Sequence, residues 1–153
     1  MKADFGSYLE QLGKERFKGF IIHDETLSKL TYFAQKAAKK YEGKYIDLLE
    51  YFKNHKELSS TIDIYSLENL MSFLVNESTG QRLIIIHKAD FLLDTWSKDE
   101  RAAFYRMIDN QWDTFKKSMN SVLVFCLHTS EEVINSKISK NRVHHLSNFK
   151  AID

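Results

Sequence analysis

An unbroken apolar run, Leu83 to Ile86, is the feature that most constrains what this chain can fold into. Isoleucine fills the last three of its positions, and a β-branched run fits a strand buried on both faces, as in the middle of a parallel sheet. The run is followed by His87, Lys88 and Asp90. Since the carboxyl ends of such strands border a ligand crevice in open α/β folds, we expect these polar side chains there.

Length and composition predict a single globular domain over residues 1–153, with an N-terminal helix over 1–16 and a core over 17–150. Apolar residues make up 43% of the chain, which is enough for a sizeable core. With 22 basic and 21 acidic residues the net charge is +1, which argues against direct nucleic-acid binding and leaves room only for a local basic patch.

The compartment is predicted from the single cysteine and from the absence of long apolar segments. Cys126 has no second cysteine with which to form an internal disulfide, which fits a reducing cytoplasm. No apolar run approaches the roughly 20 residues that span a bilayer. The first residues also lack the apolar core of a signal peptide. We therefore expect a cytoplasmic protein without a membrane partner.

Strand and helix patterns alternate along the chain, which predicts an α/β fold with a mostly parallel, five-stranded sheet. The predicted strands cover 20–22, 46–49, 83–86, 122–127 and 142–149. The predicted helices cover 3–16, 28–41, 66–75, 98–117 and a short segment from 131. Ser66, Ser97 and Ser130 are predicted helix N-caps, and Glu100 is predicted to complete a capping box with Ser97.

The stretch from Leu83 onward resembles the second signature motif of P-loop NTPases of the AAA+ and related classes. In that motif an apolar strand ends in Asp-Glu and often continues with Ala-Asp and an apolar pair. Ala89 and Asp90 keep the continuation, but His87 and Lys88 stand at the two carboxylate positions. The resemblance implies a three-layer P-loop fold with helices on both faces. The predicted elements form only the core of such a fold, without the small helical lid that AAA+ proteins carry after the last strand. It also implies the loss of the Asp that helps to hold Mg²⁺ and of the Glu that polarises water.

The turn before the second predicted helix falls where such a fold has its phosphate-binding loop, G-x-x-x-x-G-K-[ST]. His23, Ser28, Lys29 and Leu30 occupy the defining positions, so only the lysine matches. Asp24 and Glu25 add negative charge where phosphate would lie. Two interpretations stay open. Lys29 is either a solvated lysine in the first turn of a helix, or it binds the phosphate of Mg·ATP together with Ser28.

The resemblance also implies the strand order fifth, first, fourth, third, second, which makes the first, fourth and third strands neighbours. Their ends carry His23, His128 and His87, which would open onto one crevice. These histidines could hold a transition metal beside Asp24 or Asp90, since three histidines plus water is a known zinc arrangement. The alternative is that each histidine simply finishes a buried strand.

The resemblance also implies roles for three residues at or after the predicted fourth strand. His128 or Thr129 falls where active relatives sense the γ-phosphate. Arg142 falls near the position of an arginine finger, which would contact a neighbour's nucleotide, although a solvated basic turn is an alternative.

The predicted helix 98–117 is rich in aromatic residues, including Tyr105, Trp112 and Phe115. These residues are either ordinary core residues or an interaction face for a partner.

The sequence therefore predicts a non-catalytic, P-loop-like pseudo-ATPase without a cofactor. It would act as an assembly or regulatory subunit of a larger complex, and its partner would be a larger protein such as an ATPase or a defence-complex subunit. In size and layout the chain is similar to small stand-alone P-loop proteins of bacterial phage-defence operons of the BREX type. The alternatives are a weak ATP-binding subunit whose site a partner completes, and a metal-binding protein. Self-association is left open.

Overall fold

A five-stranded, all-parallel sheet forms the centre of the computed structural model, which describes residues 2–16, 18–112 and 121–153. The strands lie in the order β2-β3-β4-β1-β5. Their bounds are β1 Gly19–Asp24, β2 Lys44–Asp47, β3 Leu83–His87, β4 Val122–His128 and β5 Val143–His145. This confirms the predicted α/β fold, and the order is the one that the resemblance implied.

Helices cover both faces of the sheet. One face carries α1 Phe5–Gly13 and α2 Leu27–Lys40. The other face carries α3 Leu48–Lys53, α4 Lys56–Ser60, α5 Leu67–Glu77, α6 Asp90–Leu93, α7 Lys98–Arg106 and α8 Glu131–Ile134. Within the described residues, no helix is both long and apolar enough to cross a membrane.

The alternation of side chains along each strand separates two apolar cores, one on each face. On β3, Ile84 and Ile86 belong to the core under α5 and α7, whereas Leu83 and Ile85 belong to the core under α1 and α2. All five residues of β3 are buried. The apolar run is therefore a strand covered on both faces, as predicted.

The three predicted N-caps are confirmed. The hydroxyls of Ser66, Ser97 and Ser130 each accept a hydrogen bond from the backbone N–H three residues later. Glu100 does not fill its predicted capping role, because its carboxylate accepts the backbone N–H of Leu67 at 2.8 Å. That hydrogen bond links α7 to the first residue of α5.

Two predicted strands extend past the C-terminal ends of the strands in the structure, and local hydrogen bonds explain why. The carboxylate of Asp47 accepts the backbone N–H of Glu50 at 3.0 Å, so Leu48 begins α3 and does not extend β2. The Nδ1 atom of His145 accepts the N–H of Ser147, and the chain turns into a 3₁₀ helix, Leu146–Asn148, after β5. In both places a side chain accepts a backbone N–H, and this local hydrogen bond competes with pairing between strands.

The predicted helix 98–117 ends as an α-helix at Arg106. A π-helical turn, Met107–Gln111, follows it, and residues 113–120 lie outside the described part of the chain. The π-turn passes over the start of β1. A Cβ atom added at Gly19 would lie 2.7 Å from the carbonyl oxygen of Ile108. The close contact of two backbones therefore requires glycine at this position.

We expect Gly19→Ala to lower the free energy of unfolding by about 1–3 kcal/mol, because the added methyl group forces the two backbones apart. The matched control is Gly13→Ala at the end of α1, where a Cβ atom meets nothing within 4 Å. This control should gain roughly 0.5–1 kcal/mol from helix propensity. Urea unfolding measures both variants, and a neutral Gly19→Ala variant would contradict the close contact.

Candidate functional site

The carboxyl ends of the five strands form one polar edge of the sheet. Because the sheet is all-parallel, the final strand residues Asp24, Asp47, His87, His128 and His145 lie along the same edge. The contacts of Asp24 and His145 place them in a β1–β5 cluster, and those of Asp47 and His87 place them in a β3 cluster. The β1–β5 cluster is defined here as His23, Asp24, Glu25, Thr129 and His145.

His145 is the centre of the β1–β5 cluster. Its Nε2 atom lies 2.7 Å from Oε1 of Glu25 and 3.8 Å from Oδ2 of Asp24. Its Nδ1 atom accepts the backbone N–H of Ser147 at 3.1 Å, so the proton of the neutral ring lies on Nε2 and is donated to Glu25. This hydrogen bond is the main cause that lowers the pKa of the exposed Glu25 to about 2. Glu25 is therefore a carboxylate anion directed toward β5.

His23 packs beside His145 within the same cluster. Its Nδ1 atom lies 2.8 Å from the hydroxyl of Thr129, and the two imidazole rings meet edge to face with centroids 5.2 Å apart. Burial is the main cause that lowers the pKa of His23, and the neighbouring His145 adds to the effect. The cluster therefore favours the neutral form of His23.

Asp24 forms the turn between β1 and α2. Its Oδ1 atom accepts the backbone N–H of Thr26 at 2.7 Å, and its side chain is 8% exposed. Only Glu25 and Thr26 separate β1 from α2. Ser28 and Lys29, the predicted phosphate-binding pair, lie in the first turn of α2, and both residues are exposed.

The β3 cluster, defined as Thr31, Asp47, His87 and Lys88, connects β3 to α2 and β2. His87 is 1% exposed, and its Nε2 atom lies 2.7 Å from the hydroxyl of Thr31 on α2. Nδ1 of His87 has no hydrogen-bond partner within the described residues. Burial first, and then the charge of Lys88, lowers the pKa of His87. Lys88 adopts a left-handed backbone with φ of 61°, and its Nζ atom lies 3.2 Å from Oδ2 of Asp47.

Asp90 lies between the two clusters. Its Oδ1 atom accepts the backbone N–H of His128 at 3.0 Å, and burial is the main cause that raises its pKa. The side chain of His128 itself is exposed. On β4, Cys126 is fully buried, and burial raises the pKa of its thiol to about 12. The thiol is therefore held protonated, which does not favour a role as a nucleophile.

The three histidines that were predicted to converge do not. His87 is in register with Cys126, whereas His23 is in register with the next residue, Leu127. Since consecutive strand residues point to opposite faces, the rings of His23 and His87 leave the sheet on opposite sides. A shared metal at these three residues therefore lacks the required geometry. Among the residues that the structure describes, Asp24, Glu25 and His145 are the one such group of potential ligands within 4.8 Å of one another.

The location of Arg142 does not fit the predicted contact with a neighbouring subunit's nucleotide. The residue is 6% exposed, and its guanidinium donates to the carbonyl oxygen of Gly19 and to the carboxylate of Glu15, each at 3.1 Å. Gly19 begins β1, so the guanidinium lies at the amino edge of the sheet, opposite the polar edge. Arg142 therefore joins the segment after α1 to β1.

The predicted interaction face on the helix after Ser97 is largely part of the core. Tyr105 and Trp112 are 7% and 1% exposed. The hydroxyl of Tyr105 lies 3.4 Å from Glu132, and the indole of Trp112 donates to the carbonyl oxygen of Ser121 at 3.0 Å. Phe115 lies outside the described residues. The prediction of an exposed aromatic face is therefore wrong for Tyr105 and Trp112, although Tyr105 still lines a groove on this side of the molecule.

Sequence reasoning missed the central role of His145 and the part that Thr31 plays. A signal for His145 was available, because the implied strand order places β5 next to β1 and so brings the end of β5 to the β1–α2 turn. Thr31 carried no comparable signal. Its contact with His87 depends on how α2 is rotated about its own axis. The helical pattern shows which face of α2 is buried, but not which residue of the helix meets His87.

We expect the free energy of unfolding to decrease as the pH is lowered below about 6.5. The reason is that the pKa of His87 is lower in the folded protein than its unfolded value of about 6.5. As the pH falls through this window, the unfolded chain binds a proton first, so stability decreases by at most about 1.4 kcal/mol per pH unit for this residue. Urea unfolding at pH 7.5 and 5.5 (roughly one unit either side of that value) would measure the difference.

The His87→Gln variant should reduce this pH dependence, and His23→Gln should act in the same direction because its pKa is also lowered. A loss of stability with pH that is as steep in both variants as in the unmodified chain would contradict the assignment.

Most polar groups at this edge thus bind another group of the same chain: Glu25 with His145, His23 with Thr129, Asp24 with Thr26, His87 with Thr31, Lys88 with Asp47, and Asp90 with His128. Comparison of the sequence with protein-family models and with curated proteins gives no match. The chemistry of the edge is therefore interpreted from its own geometry.

Proposed function

We propose that this chain is a non-catalytic, P-loop-like domain that acts as an assembly or regulatory subunit of a larger complex. The observation that carries the proposal is the position of Asp24. In nucleotide-binding folds of this strand order, phosphate lies at the N-terminus of the helix that follows the first strand. Here the carboxylate of Asp24 accepts the first free N–H of that turn, from Thr26, at 2.7 Å.

The charge and length of the β1–α2 turn support the same conclusion. A phosphate group at the start of α2 would meet the carboxylates of Asp24 and Glu25, and like charges at such distances repel. His145 holds Glu25 in its ionised form. The turn has only two residues, and neither is a glycine, so it cannot wrap around a phosphate in the way that a glycine-rich loop does.

The contact between α2 and β3 supports the loss of metal-dependent chemistry. In P-loop NTPases a Ser or Thr at the start of this helix and an Asp at the end of this strand hold Mg²⁺ between them. Here the buried Leu30 stands at the hydroxyl position, and the next residue, Thr31, is in direct hydrogen-bond contact with His87 at 2.7 Å. The second carboxylate position is occupied by Lys88, whose charge is paired with Asp47 at 3.2 Å.

A surface for a partner lies on the opposite side of the sheet from α2. A groove of about 830 Å³ runs between α7 with its π-turn and α8. Charged residues of both signs line it, among them Lys98, Arg106, Asp109, Glu131 and Lys137. Charges of both signs within one groove fit a segment of another protein that carries complementary charges better than a small ligand of one charge.

Thermal melting with and without millimolar Mg·ATP tests the proposal directly. A ligand at 100 times its dissociation constant stabilises a fold by about 2.7 kcal/mol, which corresponds to a shift of roughly 5–10 °C for a domain of this size. We expect no such shift. A shift of that size that requires Mg²⁺ and disappears in Lys29→Ala would overturn the proposal and favour an ATP-binding subunit.

We further expect Ala102→Arg, which places a large charged side chain in the groove, to abolish co-purification of the chain with its partner from native cells. The control is Lys39→Gln on α2, at the opposite face of the sheet, which should retain the partner. Circular dichroism checks that both variants fold. Retention of the same partner by Ala102→Arg would show that the groove is not the assembly surface.

A further inference from the structure

A second groove lies on the α2 side of the molecule, between that helix and the segment that follows β5. This α2 groove has a volume of about 410 Å³. Four lysines contribute to its lining: Lys2, Lys29, Lys36 and Lys150. Its aromatic residues are Tyr32 and Phe33 from α2, and Phe149 from the opposite wall.

The α2 groove carries net positive charge, whereas the chain as a whole is close to neutral. Among the described residues that line it, Asp24 is the one acidic residue, and Oδ1 of Asp24 is already hydrogen-bonded to Thr26. Asp4 lies near Lys150, but its carboxylate binds the N–H and hydroxyl of Ser7. The net charge of the whole chain is only +1, so the positive charge is concentrated in this groove while the remainder of the chain is net negative. A concentration of one sign of charge in a concave surface attracts a ligand of the opposite sign.

One aromatic ring of the groove, that of Tyr32, is accessible. Tyr32 is 60% exposed, whereas Phe33 and Phe149 are 6% and 5% exposed and form the floor. The Nζ atom of Lys36 lies 5.5 Å from the centre of the Tyr32 ring. An accessible ring with a lysine beside it offers a surface for stacking a base, together with a cation for the adjoining phosphate.

The spacing of the side chains on α2 gives the size of the ligand. Lys29 and Lys36 are seven residues apart, which corresponds to about 10 Å along a helix, and Tyr32 lies between them. A stacked nucleic-acid strand rises by about 3.4 Å per nucleotide. The two lysines are therefore spaced to contact phosphates about three nucleotides apart, with Tyr32 against an intervening base.

We infer that the α2 groove binds single-stranded nucleic acid through its phosphates and by stacking on Tyr32, without reading its sequence. This activity goes beyond the proposed assembly role and uses the opposite face of the sheet. The balanced composition of the chain argues against an extended nucleic-acid surface, but this groove is a local site for a few nucleotides.

Fluorescence anisotropy of a labelled oligo-dT of about 15 nucleotides, titrated with the full chain at low salt, tests the inference. We expect a dissociation constant in roughly the micromolar range. Four lysine–phosphate contacts predict that the logarithm of the binding constant falls against the logarithm of salt concentration with a slope of about −3. No binding at about 50 mM salt, where phosphate contacts are strong, would overturn the inference.

Variants separate the two components of the site. Lys36→Gln should reduce the magnitude of the salt slope by about 0.7, because it removes one phosphate contact. Tyr32→Ala should weaken binding by roughly 5- to 100-fold and leave the salt slope unchanged, because it removes stacking. The matched control is Lys56→Gln, an exposed lysine on α4 at the other face of the sheet, which should bind as the unmodified chain does.

Competition experiments distinguish other occupants. Displacement of oligo-dT by poly-glutamate at equal charge concentration, together with no effect of Tyr32→Ala, would replace the inference with an acidic protein partner. Duplex DNA that binds as tightly as the single strand would also overturn it, because stacking would then contribute nothing. Nucleotide binding at the polar edge is distinguishable, since Lys36→Gln lies about two turns of α2 away from that turn and should leave any Mg·ATP shift unchanged.

Discussion

Burial of the sheet on both faces is the constraint on which the rest of the structure depends. The central strands are covered by helices on both faces, so their side chains are apolar until the strand ends. β3 is buried along its whole length, and its first polar residue is its last, His87. Polar chemistry is thereby confined to the strand ends and to the outer surfaces of the helices. At the amino edge, Arg142 is a buried charge that is held by Gly19 and Glu15.

The polar edge and the α2 groove use α2 in opposite ways. At the edge, carboxylates stand at the N-terminus of the helix, where its dipole favours negative charge. Along the exposed side, the helix carries Lys29, Lys36, Lys39 and Lys40 and no acidic residue. The N-terminus of α2 therefore meets the anions of the preceding turn, whereas its exposed side carries a row of cations. This separation underlies both proposals, a turn that excludes phosphate and a groove that attracts it.

The sequence predicted the fold far better than the site. Apolar runs fixed β3 and β4, and serine caps located the starts of α5, α7 and α8, because these signals are local and strong. The site depends on finer geometry. A register offset of one residue between His87 and His23 sends their rings to opposite faces, and strand pattern alone does not reveal such an offset. The burial of Arg142, likewise, follows from its pairing with Glu15, which is 127 positions away in the chain.

The ion pair between Lys88 and Asp47 bears on how this edge can change over evolutionary time. A carboxylate at position 88 would replace an attraction to Asp47 with a repulsion. At position 87, a carboxylate would have to be buried against Thr31. Replacing residues 87 and 88 by an acidic pair would therefore not be sufficient, because the contact with β2 and the packing of α2 would also have to change. Each of these contacts within the chain would have to be broken before an acidic pair could occupy the end of β3.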